Sequence, residues 1–428
     1  MFIQVILKKQ NINDIPISEF PKAIKDLGLK PFNTAQIIQW IYKKGADSFD
    51  DMTNLSKEAR GLLKERFCLG GLKLVKTLES KDGTKKFAWE LRDGNVIESV
   101  LIPSESHEKA SGHGQTKTPK ENWKKRTTLC ISTQVGCAMG CSFCRTGEMG
   151  FVRNLSQAEI IGQILEATRQ EAGGRKQEKR DRGSCLMPHA SHFNQRISNV
   201  VLMGMGEPLA NYDNVLKALH IMLDTKRLGL SRRHVTLSTC GLVPEIERFA
   251  RDNPGVKLAI SLNATTDEQR ERLMPIDKKY PLAKLFAALK KYSGATKRDV
   301  MTFEYVMVGD LNDSHEDAKR LVRLLSRFPS KVNLIPLNAA CHSRESGNLV
   351  NEGDPHFRGD DRYLPPTEET VQQFAQYLRN KHIQVNIRLS RGHDILAACG
   401  QLASGETHRV CPRKSATEQP FYKRDRLV

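Results

Sequence analysis

The chain has 428 residues, 39% hydrophobic and 27% charged, enough apolar material for a core and too ordinary a mix for wholesale disorder. Its 67 lysines and arginines against 49 aspartates and glutamates leave a formal net charge of +18, which suits a polyanionic partner such as nucleic acid better than an acidic small molecule. No apolar run of about 18 residues exists, which excludes a spanning helix, and the opening MFIQVILKKQ lacks the basic lead and apolar length of a secretory signal.

A length well above one average domain predicts one large domain with a smaller appendage. Residues 1–72 read as a helical module. Ala35 to Lys44 (AQIIQWIYKK) sets Ile37, Ile38 and Ile41 at helical spacing. Asn54 to Phe67 opens on Asn54 as a cap and carries Leu55, Ala59, Leu62 and Leu63 on one face. Lys30, Lys43, Lys44, Lys57, Lys64 and Arg66 are scattered through it, and composition leaves a packing role and a nucleic-acid role evenly matched. Residues 73–125 read as an extended linking segment, in which KKFAWELRDGNVIESVLI alternates around a turn at Asp93-Gly94 before a polar stretch from Ser104 to Lys125.

Residues 126–413 alternate between strands and helices. The strands expected are Leu129–Thr133, Asn199–Met203, His234–Thr239, Lys257–Leu262, Met301–Met307, Val332–Pro336 and Gln384–Ile387. Helices are expected at Ser156–Arg169, Tyr212–Leu223, Leu282–Tyr292, Ser314–Ser326 and Glu368–Arg379, the first opened by a Ser156–Glu159 capping box. Repeated βα units predict an α/β fold with a parallel sheet, either doubly wound or a full or partial barrel. Two further polar stretches, 173–196 and 341–362, interrupt the rhythm and read as surface insertions; 414–428 is a tail. Cys185, His189, His192, Cys341 and His342 fall in them at irregular spacings, which favour unpaired surface residues over a metal site.

With no export signal the protein is expected in the cytoplasm, where its ten cysteines read as metal ligands or catalytic thiols before disulfides. The strongest signal is Cys137-Ala-Met-Gly-Cys141-Ser-Phe-Cys144, directly after a strand. Three thiolates on a four-iron cluster leave one iron open for substrate. Structural zinc needs a fourth ligand and usually a second C-x2-C knuckle, which the chain lacks. Spacing alone therefore favours the cluster.

C-x3-C-x2-C with Phe143 before the last cysteine, at the first strand-to-loop transition of a βα domain, resembles the radical S-adenosylmethionine (SAM) superfamily. Gly204-Met205-Gly206-Glu207-Pro208, straight after the next strand, is similar to its glycine-rich motif for the methionine moiety. That resemblance implies a partial (β/α)6 barrel, a 4Fe-4S cluster held by Cys137, Cys141 and Cys144, and S-adenosyl-L-methionine on the open iron. QVGCAMGCSFCRTGEMGFVRNLSQAEIIGQI, VVLMGMGEPLANYDNV, VTLSTCGLVPEI and GHDILAACGQL together resemble the RlmN family of dual-specificity adenine-C2 RNA methyltransferases. The KPFNTAQIIQWIYKKG segment resembles that family's N-terminal helical module, implicated in RNA binding.

The narrower resemblance implies methylation of adenine carbon 2 in 23S rRNA and tRNA, with two cofactor molecules per turnover and a reducing electron donor. Carbon 2 lies between two ring nitrogens and is too electron-poor to attack a sulfonium, so a carbon radical must be added to it. In the family's chemistry a cysteine mapping onto Cys399 is methylated first, and hydrogen removal from that methyl gives the radical that adds to the base. Cys130, seven residues before the first cluster cysteine, maps onto the thiol that releases the product by forming a disulfide with Cys399. Glu98, in Val96-Ile97-Glu98-Ser99-Val100, corresponds to the base that takes the carbon-2 proton.

For the cofactor the resemblance carries over Gly206, Glu207, Ser238, Ser261, Leu262, Asn263 and Asn338, at the carboxyl ends of successive expected strands. Family members commonly have His where Asn263 stands. Taken without the motifs, Cys399 and Cys130 read as packed core residues and Glu98 as a solvated surface acid. Cys68, Cys240 and Cys411 match no catalytic role. A monomer free of membranes is expected. The alternatives are a carbon-8 methylating relative and a non-catalytic RNA-binding protein with a structural metal.

Overall fold

The computed structural model describes residues 9–103, 127–181, 197–296, 300–338 and 363–403. The polar stretch 104–125, most of 173–196, all of 341–362 and the tail 414–428 lie outside the described residues, with Cys185, His189, His192, Cys341, His342 and Cys411.

The N-terminal module is helical as expected, with two local corrections. Its helix Pro31–Gln39 starts on a proline, where a missing N–H costs nothing, and widens into a π-helical turn over Trp40–Lys44. The next helix, Lys57–Arg66, is capped by Ser56, whose Oγ accepts the Ala59 N–H at 3.2 Å. Asn54, expected as the cap, instead accepts the Trp40 indole N–H. Leu62 faces solvent at 37% exposure, whereas Leu55, Ala59 and Leu63 are buried. The module docks on the barrel through polar contacts: Asp14 Oδ1 accepts the Ala158 N–H at 2.7 Å, and Arg169 Nε donates to the Gly45 carbonyl at 3.0 Å.

Ten strands make one sheet in sequential order. They are β1 (Lys73–Glu79), β2 (Lys85–Glu90), β3 (Val96–Pro103), β4 (Thr127–Cys130), β5 (Asn199–Leu202), β6 (Val235–Thr239), β7 (Lys257–Ser261), β8 (Met301–Met307), β9 (Ser330–Pro336) and β10 (Gln384–Ile387). From β4 to β10 neighbours run parallel; from β1 to β4 they run antiparallel. The six strands β4–β9 are the expected partial barrel. The extended segment 73–103 is not a tether beside it: β3 pairs with β4 and continues the same sheet.

Helices cover the outer face and bury their apolar stripes against it. Tyr212–Leu223 follows β5 and Leu282–Thr296 follows β7, while His315–Leu325 and Glu368–Asn380 follow β8 and β9. Val243–Asp252 after β6 stacks Phe249 on Tyr292 of the next long helix, ring centroids 6.1 Å apart. The helix expected to end at Arg169 continues to Asp181, into the stretch read as an insertion. Alternate residues of the parallel strands face the barrel interior, and register puts Ser261, Glu304, Asn333 and Asn386 side by side on four neighbouring strands. That polar row lies below the carboxyl ends of the strands, where a barrel gathers its chemistry.

Candidate active site

The cysteine loop is shaped by a hairpin that the sequence pattern did not reveal. After Cys130 the chain leaves the sheet, and Gln134–Gly136 pairs antiparallel with Phe151–Asn154. The loop between these strands is held from outside, where Ser142 N–H donates to the Leu273 carbonyl at 3.0 Å, and from within, where Cys144 N–H donates to the Cys141 carbonyl at 3.1 Å. Cys137, Cys141 and Cys144 all line one pocket of about 1100 Å3, counting its open mouth.

The opposite walls come from the strand ends. Gly206, Glu207, Ser238, Ser261, Asn263 and Asn338 all lie on the pocket, as does Cys399 from the C-terminal segment. Leu262 does not: it is fully buried in the core, its carbonyl accepting from Arg270 Nε at 3.2 Å. Cys130 and Glu98 stand off the wall too, both buried. The surface acid that the isolated pattern suggested for Glu98 is thus absent.

Gly206 holds φ +97°, and a Cβ there would sit 2.4 Å from Gln134 Cβ. Only glycine lets this turn lie flat on the hairpin. Glu207 is buried with both oxygens in use: Oε1 accepts the Leu209 N–H at 3.0 Å and Oε2 the Cys240 N–H at 2.8 Å. Burial pushes its pKa up against the pull of those hydrogen bonds. Ser238 and Ser261 hydroxyls face each other at 3.4 Å. Asn263 adopts φ +58°, a conformation that Asn tolerates better than most residues. Its Oδ1 accepts the Val306 N–H at 2.9 Å, so this side chain braces β8. Asn338 Oδ1 accepts the Ser390 hydroxyl.

Three further residues shape the site, and sequence reasoning missed them. Glu304 lines the pocket; its Oε1 accepts from Asn333 Nδ2 at 2.8 Å, and its Oε2 is buried with no hydrogen bond. A lone acid within the apolar strand MTFEYVM was the available signal. Cys240, left without a role above, lines the pocket beside Glu207. Arg270 is wholly buried and ties two strand ends together, donating to the Cys240 carbonyl at 2.6 Å and pairing with Asp277 at 2.7 Å. No local pattern announces it.

Two tests bear on the implied cofactors. Among the described residues no three His, Cys, Asp or Glu side chains are grouped to hold a metal ion. A cluster takes each thiolate on a different iron, and the thiols of Cys137, Cys141 and Cys144 line one pocket near enough to act on one another electrostatically, which fits that group. Burial pushes the Cys137 thiol to about 12 and raises Cys141 and Cys144 as well. Iron must therefore displace protons on binding. The orphaned Glu304 Oε2 and the paired serine hydroxyls fit a ligand bearing N–H, hydroxyl and carbonyl groups.

Cys399 is exposed and lines the pocket, and the protein packed around it raises its thiol pKa. Cys130 lies near enough for a Cys399 thiolate to raise it further; burial is the larger cause, and together they bring it to about 12.

A matching fold and site define a radical SAM enzyme. Residues 188–325 match the radical SAM superfamily. The crystal structure of a radical SAM methyltransferase from Sphaerobacter thermophilus superimposes with a TM-score of 0.73 at 36% identity, covering 92% of this chain and 99% of that one. Residues 10–69 match the ribosomal RNA large subunit methyltransferase N-terminal domain. The dual-specificity RNA methyltransferase RlmN of Pelobacter propionicus is 42% identical over 395 residues, 92% of this chain and 96% of the relative. That of Geobacter sulfurreducens is 43% identical over 392 residues, 92% and 91% of the two chains. The chain belongs to the RlmN family.

Proposed function

We propose that the protein methylates carbon 2 of adenine in 23S rRNA and tRNA, with a 4Fe-4S cluster and S-adenosyl-L-methionine as cofactors. The observation that carries this reading is one pocket lined both by the three cysteines of a C-x3-C-x2-C loop and by Cys399. Bound there, the cofactors supply a methyl group and one-electron chemistry. Cys137, Cys141 and Cys144 hold the cluster. Gly206, Glu207, Ser238, Ser261, Asn263 and Asn338 shape the cofactor's seat, and Leu262 supports it from the core.

Cys399 carries the methyl group, since among the described cysteines outside the cluster loop it is the one both exposed and lining the pocket. Glu98 takes the carbon-2 proton. Its Oε2 is buried and has no hydrogen bond, which leaves that oxygen free for a proton. Cys130 gives up its proton and attacks the Cys399 sulfur: the S–S bond forms, the bond from that sulfur to the methylene carbon breaks, and the carbon keeps the electron pair and takes up a proton to become the product's methyl group. The net charge of +18 draws RNA phosphates to the surface, and the target base enters unstacked. A low-potential electron donor in the cytoplasm completes the reaction, and the protein acts as a monomer. Among the described residues no helix is long and apolar enough to cross a membrane.

Anaerobic reconstitution of the wild type and Cys399→Ala, followed by assay of methyl transfer to RNA, tests this. Brown wild-type protein that methylates and a Cys399→Ala variant that keeps its cluster but transfers nothing support the reading. A variant as active as wild type overturns it.

A further inference from the structure

Lys86 sits in β2 with its side chain turned inward, although a lysine beside a second lysine in KKFAWE reads as solvated. Its Nζ lies 3.2 Å from Glu98 Oε1, with side-chain exposures of 9% and 5%. Register explains the contact: Ala88 faces Glu98 across the β2–β3 pair, so Lys86 reaches it diagonally. The same Nζ donates to the Leu396 carbonyl at 3.1 Å. Leu396 stands three residues before Cys399 and holds φ +51°, a conformation that L residues avoid.

We propose that Lys86 is a positioning residue for the proton transfer, clamping Glu98 and the Cys399 segment in one register. The inference rests on the reading of Glu98 as the base. One ammonium grips both parts: the carboxylate on β3 and the turn that delivers the methyl-bearing sulfur. Buried ion pairs seldom stabilise a fold by much, and they persist where geometry is needed. The lysine binds Oε1, and Oε2 is buried without a hydrogen bond of its own. When the carbon-2 C–H bond breaks, its proton goes to Oε2 and the electron pair stays with the ring.

Charge supports the same role. Burial raises the Glu98 pKa, and Lys86 is the leading influence lowering it, followed by the Ala403 amide and Arg145 of the helix after the cysteine loop. Among the described residues these are the leading groups that act on the carboxylate. Without Lys86 the acid should stay protonated to a higher pH.

The test compares Lys86→Met, Lys86→Arg, Glu98→Gln and the double variant Lys86→Met/Glu98→Gln in the full chain. The double variant replaces both charges and shows whether poor folding of Lys86→Met comes from the stranded carboxylate; in that case Lys86→Gln, which keeps a donor without the charge, is read in its place. Carbon-13 NMR of glutamate-labelled protein, with the Glu98 signal assigned by its loss in Glu98→Gln, reads the carboxyl directly. Turnover against pH and gel detection of a protein–RNA adduct read the chemistry. Lys86→Met should move the Glu98 midpoint and the acid limb of kcat upward by about one pH unit or more, with adduct accumulating below the new midpoint. Lys86→Arg should largely restore both. An unshifted midpoint and acid limb in Lys86→Met, with Glu98→Gln still trapping adduct, overturns the role of Lys86 alone. Wild-type turnover by Glu98→Gln would sink the reading of Glu98 instead.

Discussion

The backbone N–H of Arg145 donates to the carbonyl of Gly400 at 2.8 Å, fastening the cysteine loop to the segment that carries Cys399. One residue on, Thr146 Oγ1 donates to the Leu402 carbonyl at 2.6 Å, with both residues buried. Gly400 holds φ +80°, and a Cβ there would lie 3.0 Å from the Phe143 carbonyl. The two cysteine-bearing segments are 255 residues apart in the chain between Cys144 and Cys399 (399 − 144), yet they share one edge of the pocket.

Thr146→Val should loosen this edge. It leaves the buried Leu402 carbonyl unpaired, at a cost of about 1–3 kcal/mol. Local opening then becomes more frequent, and the readout is hydrogen exchange at the Arg145 amide, bonded to the Gly400 carbonyl, which should proceed roughly tenfold faster than in the wild type.

Gly206→Ala should weaken S-adenosyl-L-methionine binding on the order of tenfold, about 1.4 kcal/mol. The added Cβ meets Gln134 at 2.4 Å and the backbone is in the left-handed region, so the turn must move away from the hairpin. Calorimetric titration of the reconstituted protein measures it.

Arg270→Met should destabilise the fold by about 3–5 kcal/mol. Asp277 loses its partner at 2.7 Å, and the carbonyls of Cys240 and Leu262 lose a buried donor. Urea denaturation gives the value, and Asp277→Asn, which removes the stranded charge, should recover part of the loss in the double variant.

Much of this was legible in the sequence, for identifiable reasons. Met301–Met307 and Gln384–Ile387 begin and end where their apolar pattern places them, as does the helix Tyr212–Leu223. The apolar run of Met301–Met307 specifies a buried parallel strand well, whereas Gln384–Ile387 is an edge strand that exposes Gln384 and Asn386. Reading Leu129–Thr133 as one strand failed because Ser132 and Thr133 serve the next strand end instead: Ser132 Oγ donates to the Glu98 carbonyl at 2.5 Å and accepts the Met205 N–H at 2.9 Å. The motifs located the pocket residues. What they could not show were partnerships made across the sheet, such as Lys86 with Glu98 or Arg270 with Cys240, because register and burial decide those and neither is local.

Cys130 should resist alkylation in the folded state. Burial, and then the neighbouring Cys399 thiolate, raise its thiol from 9.0 to about 12. A raised thiol pKa favours the neutral form, so its contribution to stability is complete below pH 9 and is lost as pH climbs towards 12. Peptide mapping after alkylation at pH 8 should find Cys399 labelled and Cys130 spared. In Cys399→Ala, as in the Cys399-methylated protein, the second of these influences is gone, and the labelling midpoint of Cys130 should fall.

The account's central claim is settled most directly by the nucleosides themselves. RNA from cells with and without the protein is digested and resolved by chromatography with mass spectrometry. The account predicts 2-methyladenosine in both rRNA and tRNA wherever the protein is present. Finding 8-methyladenosine in its place, or no methylated adenosine that depends on the protein, would contradict it.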